Sequence, residues 1–131
     1  MVHDDARAVA VWNRATRRGK HADLAPGDEA LAAMLRAHGL IMNGGVLNAL
    51  ETMTDDQLES AIAGYEFFEF GSVSGFFNRA KVLLKAGADL ELHEARLDSD
   101  YQRIVTDDEA MFRAFERKFD AHPDNFAPLA V

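Results

Sequence analysis

Apolar side chains recur at three- and four-residue spacing along most of this chain, and nowhere does a run alternate with period two between hairpin turns. A half-buried strand needs the second pattern and an amphipathic helix the first, so the sequence predicts an all-α fold. Leu31, Met34, Leu35 and His38 form one such stripe. Leu58, Ala61, Ile62, Tyr65 and Phe68 form another, and Met111, Phe112, Phe115 and Phe119 a third. At 131 residues, with 48% hydrophobic and 27% charged residues, the chain is large enough to bury one core, and a single domain over residues 1–131 is expected.

Punctuation between the stripes predicts about seven helices. The first opens at Asp4-Asp5 and runs to Arg17-Arg18-Gly19, acids at its start and bases at its end as a helix dipole prefers, with Val9, Val11 and Trp12 on its apolar side. Arg14, Arg17, Arg18 and Lys20 complement that dipole. After Ala25-Pro26-Gly27 a second helix runs until Gly39 stops it, and Asn43-Gly44-Gly45 forms a tight turn whose asparagine caps a third helix carrying Val46, Leu47 and Leu50. Thr54-Asp55-Asp56-Gln57 is a capping box that starts the fourth. Gly71-Ser72-Val73-Ser74-Gly75 reads as a turn before a fifth helix from Phe76 to Gly87. Leu90, His93, Leu97, Tyr101 and Ile104 mark a sixth, and the box Thr106-Asp107-Asp108-Glu109 starts a seventh that His122-Pro123 ends.

Charge is unevenly placed. The net charge of −8 combines +3 over residues 1–20, −8 over residues 21–75 and −3 over residues 76–131. In the middle segment only Arg36 opposes nine acids. Binding to a nucleic-acid backbone works by replacing counterions with lysine and arginine, so this field disfavours it and favours a cationic partner. There are no cysteines, which removes disulfides, thiolate metal sites and a cysteine nucleophile, and suits a reducing cytoplasm. No basic leader with an apolar stretch opens the chain, and no segment of membrane-spanning length is expected.

Catalytic patterns are weak. No Gly-x-Ser-x-Gly elbow is present, and the histidines stand apart at positions 3, 21, 38, 93 and 122. Asp89, His93 and Glu94 are the nearest approach to a metal set, but a zinc helix needs a second histidine. His93 also lies between Leu90 and Leu97, where a hydrogen-bonded histidine at the core edge is expected. No cofactor is called for. The Asn-Gly-Gly turn could cradle an anion, yet no Lys-Ser or Lys-Thr follows it and its surroundings are acidic, so Asn43, Gly44 and Gly45 are read as structural.

The segment His38-Gly39-Leu40-Ile41-Met42-Asn43-Gly44-Gly45-Val46-Leu47-Asn48-Ala49-Leu50 resembles the signature of a bacterial family called domain of unknown function 4375, in which Asn-Gly-Gly precedes a helix. Ala61-Ile62-Ala63-Gly64-Tyr65-Glu66-Phe67-Phe68 and Ala80-Lys81-Val82-Leu83-Leu84 resemble its downstream helices, so the likeness spans residues 30–85. Val46 and Leu47 stand where that family usually carries aromatics. The resemblance implies a small acidic helical protein, and the family includes a DNA mimic whose carboxylates imitate phosphates toward a transcription factor.

These readings converge on a non-enzymatic binding protein. Its partner would be a basic protein, with a DNA-binding regulator as one form and a cationic enzyme under inhibition as another. Asp28, Glu29, Glu51, Asp55, Asp56, Glu59, Glu66 and Glu69 are the expected contact acids, and an exposed Phe67 or Phe70 is the expected apolar anchor. A metal-dependent hydrolase built on Asp89 and His93, and a homodimer joined through residues 67–77, are the competing expectations.

Overall fold

The computed structural model describes residues 5–16, 25–86 and 90–128. Within them six α-helices and one short 3-10 helix follow one another without a strand, in a single compact domain of the predicted all-α class. α1 spans Asp5–Thr16, α2 Pro26–Thr52, α3 Asp55–Phe67, α4 Gly71–Lys85, α5 Leu90–Ile104 and α6 Asp108–Ala121, and the 3-10 helix is Pro123–Asn125. Arg17, Arg18, Lys20 and Asp89 lie outside the described residues.

The local signals act where side chains reach orphaned backbone groups. Thr54 accepts the Gln57 N–H at 3.1 Å while the Gln57 side chain accepts the Thr54 N–H at 3.0 Å, the reciprocal pairing expected at the start of α3. At α6 the cap is Asp107, one residue after the expected Thr106, and its carboxylate accepts the Ala110 N–H at 2.7 Å. The chain reverses between α3 and α4 at Phe68–Phe70, where Glu69 takes a left-handed φ of 68°. Residues 71–75, expected as the turn, are instead the first turns of α4, because Val73 is buried there.

Six helices replace the expected seven because the second and third expected helices are one. α2 continues through Gly39, whose α-carbon faces open space, since burial of Ala37, His38 and Ile41 on the opposite side holds the helix through it. Its break comes later, at Gly45. α2 is also long and apolar enough, by length and composition, to cross a membrane, contrary to the expectation that no segment is. Its buried face, from Leu31 through Met34, Ile41 and Val46 to Leu50, is that of a core helix against its neighbours.

Tyr65, Phe68, Phe76, Phe77 and Phe115 are fully buried and join one core. In α1 Ala8 and Val11 face inward and Val9, expected there, is exposed. Beyond the last expected helix, the 3-10 turn carries Phe126 into the core, against the rings of Phe68, Phe115 and Phe119. Gly64 sets the approach of α3 to α2: a β-carbon there would sit 2.4 Å from the Ala30 carbonyl oxygen.

Candidate functional site

The break in α2 organises a cleft among the described residues. Gly45 has φ 91° and ψ 170°, a conformation that side-chain-bearing residues avoid. Leaving the helix there frees the Val46 N–H, and Asp98 of α5 accepts it at 2.8 Å. The Asn48 amide reaches back over the bend to the Leu40 carbonyl at 3.3 Å. The cap expected from Asn43 therefore comes from a carboxylate far along the chain, while Asn43 itself is exposed on the rim.

Between this bend, the end of α5 and the start of α6 lies a cavity of about 500 Å³, with His38, Met42, Asp98, Tyr101, Asp107 and Asp108 among its walls. A chain of hydrogen bonds runs from it into the core. Asp108 Oδ1 lies 2.7 Å from His38 Nε2, His38 Nδ1 lies 2.7 Å from the Tyr101 hydroxyl, and that hydroxyl lies 2.7 Å from the Tyr65 hydroxyl. One direction of donation satisfies every member. The Tyr65 O–H donates to Tyr101, the Tyr101 O–H donates to Nδ1, and the Nε2–H donates to the carboxylate. In reverse, the Tyr65 proton would lose the acceptor this chain provides.

Burial pushes the Tyr65 phenol well above its ordinary value of 10.0, and the Tyr101 oxygen beside it adds to the shift. Burial likewise raises Tyr101; the Tyr65 hydrogen bond pulls it partly back, and the Asp108 charge raises it. Both phenols thus stay protonated at neutral pH, and both imidazole nitrogens are occupied. The set holds shape and offers no activated nucleophile. Among the described residues no three histidine, aspartate or glutamate side chains gather where a metal ion could be held.

The residues singled out by sequence fare differently from one another. Asp28 is corrected: it is buried, 1% exposed, with Oδ1 2.6 Å from an Arg14 nitrogen and Oδ2 accepting the N–H groups of Ala127 at 2.7 Å and Ala25 at 3.2 Å. It fastens the C-terminal segment to α1 and α2 and faces no partner. The apolar anchor is corrected too. Phe67 is half-buried against Phe68 with the Lys118 ammonium 5.0 Å from its ring centre, and Phe70 is half-buried against Tyr65. Glu29, Glu51, Asp55, Asp56, Glu59, Glu66 and Glu69 are exposed. On α3 they leave one side of the helix acidic, and Lys81 of α4 comes within 3.5 Å of Asp55.

Sequence reasoning placed His38, Tyr65 and Tyr101 on apolar stripes without seeing that they join. The signal was that three stripe positions carry polar tips, which need partners once buried. Asp98 and Asp108 carried no comparable signal. Comparison of the chain with protein-family models, with curated proteins and with solved structures gives no match.

Proposed function

We propose that this chain is a non-enzymatic binding protein of the cytoplasm whose acidic outer surface engages a basic protein. One observation carries the reading: α3 exposes Asp55, Asp56, Glu59 and Glu66 and contains no lysine or arginine, and exposed Glu51 and Glu69 extend the same charge beyond its two ends. Apart from Asp55, which Lys81 approaches, these carboxylates have no ion-pair partner among the described residues, and their combined field steers a cationic surface toward them and fixes its register. Asp28, buried against Arg14, takes no part. The resemblance of residues 38–50 gives the proposal a specific form, in which the partner is a DNA-binding regulator and the carboxylates stand in for phosphates.

The test is affinity capture from native lysate at about 50 and 300 mM salt, a step that shortens the screening length by more than half. Wild-type protein is expected to retain a basic partner at the lower salt only. The D55K/D56K/E59K variant, folded to the same extent, should retain it more than about tenfold less. Equal retention by the variant at low salt excludes α3 as the contact face.

A further inference from the structure

A second cavity, of about 240 Å³, lies between α4 and α5. Phe76, Leu83 and Leu97 supply apolar wall, and Arg79, His93 and Arg96 stand around it. Helical spacing places them: Arg79 lies one turn after Phe76 on α4, and His93 and Arg96 lie beside Leu97 on α5. Phe76 and Leu97 are buried, His93 is half-buried, and the two arginines are exposed.

The charge here is opposite in sign to the chain's net charge of −8. In a chain with 22 acidic and 14 basic residues, Arg79 and Arg96 have no ion-pair partner among the described residues. The one described carboxylate in the wall, Asp100, is engaged by Arg103 at 3.1 Å along its own helix. Two guanidinium groups beside one apolar cavity, without a carboxylate of their own, form a receptor for an anion: the fork of N–H donors matches a carboxylate, and the wall matches an apolar body attached to it. The volume is below the roughly 300–1,000 Å³ of sites for drug-sized ligands, which limits the body to about the size of one ring.

We propose that this cavity binds a small organic carboxylate with a compact apolar body, its carboxylate between Arg79 and Arg96 and its body against Phe76, Leu83 and Leu97. The site is independent of the acidic face of α3. His93 borders it, a different place from the metal site considered with Asp89.

The experiment is an amide-resolved NMR titration of the full chain with three probes: phenylacetate, phenethylamine, which keeps the ring and reverses the charge, and inorganic phosphate, which keeps an anion and lacks the body. Phenylacetate should give saturable shifts at Phe76, Leu83 and Leu97 in the millimolar range or tighter, as expected for a ligand of about ten non-hydrogen atoms. Phenethylamine should give none there, and phosphate should bind at least about tenfold more weakly. R79Q/R96Q should weaken phenylacetate by about tenfold or more with an unchanged melting temperature, because both side chains are exposed. No saturable phenylacetate shift by roughly 20 mM overturns the site. So does equal binding of the amine, of phosphate, or of phenylacetate to the variant; the probe comparison on wild-type protein stands even if the variant misfolds.

Discussion

Asp28 and Glu29 are neighbours in the chain with opposite fates. Asp28 is enclosed by Arg14 and two backbone N–H groups, whereas Glu29 is exposed. The same division separates two regions of the molecule. Inside, Asp28, Asp98, His38, Tyr65 and Tyr101 make hydrogen bonds that hold α1, α2, α3, α5 and the C-terminal segment in register. Outside, the acids of α3 hold almost nothing, Asp55 with Lys81 being the ion pair seen there. Paired charge is committed to the fold, and unpaired surface charge is free to act on something else. An acid count cannot distinguish the two; a partner list does.

Breaking the inner set should cost stability in proportion to what is left unpaired. Asp28→Ala strands the partly buried Arg14 charge and two N–H groups, and urea denaturation should show a loss of about 3–5 kcal/mol. Gly45→Ala forces a β-carbon into a backbone region reserved for glycine, 3.2 Å from Asp98 Oδ2, and should lose about 2–3 kcal/mol by the same assay. Tyr101→Phe takes the acceptor from Tyr65 and the donor from His38, for about 1–2 kcal/mol.

Alkali gives the inner region a signature of its own, because Tyr65 and Tyr101 are the chain's two tyrosines. Their folded values are raised above the ordinary 10.0, so folding favours the protonated phenol. That contribution is fully present below pH 10.0 and is lost as pH rises from there toward the folded values. Phenolate absorbance should therefore stay absent at the pH where the urea-unfolded chain is half ionised, and should appear together with loss of the fold. Titration of both tyrosines at their ordinary value in the folded protein would contradict the buried chain.

Much of the architecture was legible because it is local. Three- and four-residue spacing marked the helices, and Thr54 with Gln57 marked one start to the residue. What escaped depended on distant encounters. Gly39 looked like the stop and Gly45 like part of a turn, yet burial carries α2 through the first, and Asp98, 52 positions beyond Val46, meets the freed backbone at the second. Asp28 looked like a surface acid because its partners stand 14 residues before it and 99 after it. Phe67 falls off the stripe of α3 and Phe70 lies in the reversal after it, so local spacing places neither against the core, while Phe126 and Tyr65 complete their surroundings. The acidic composition of α3 was readable, since no basic residue occurs in that helix, whereas the Lys81 that meets Asp55 comes from α4 and was not.

The central claim is that the outer acids serve binding and not folding, and D55K/D56K/E59K measured for both properties tests it most directly. The expected result is a variant that stays folded, its stability in urea lowered by about 1–3 kcal/mol because lysines replace the first-turn acids of α3 and the Asp55–Lys81 pair is lost, alongside loss of the low-salt partner. A variant that unfolds readily, or one that keeps its partner at low salt, contradicts the claim.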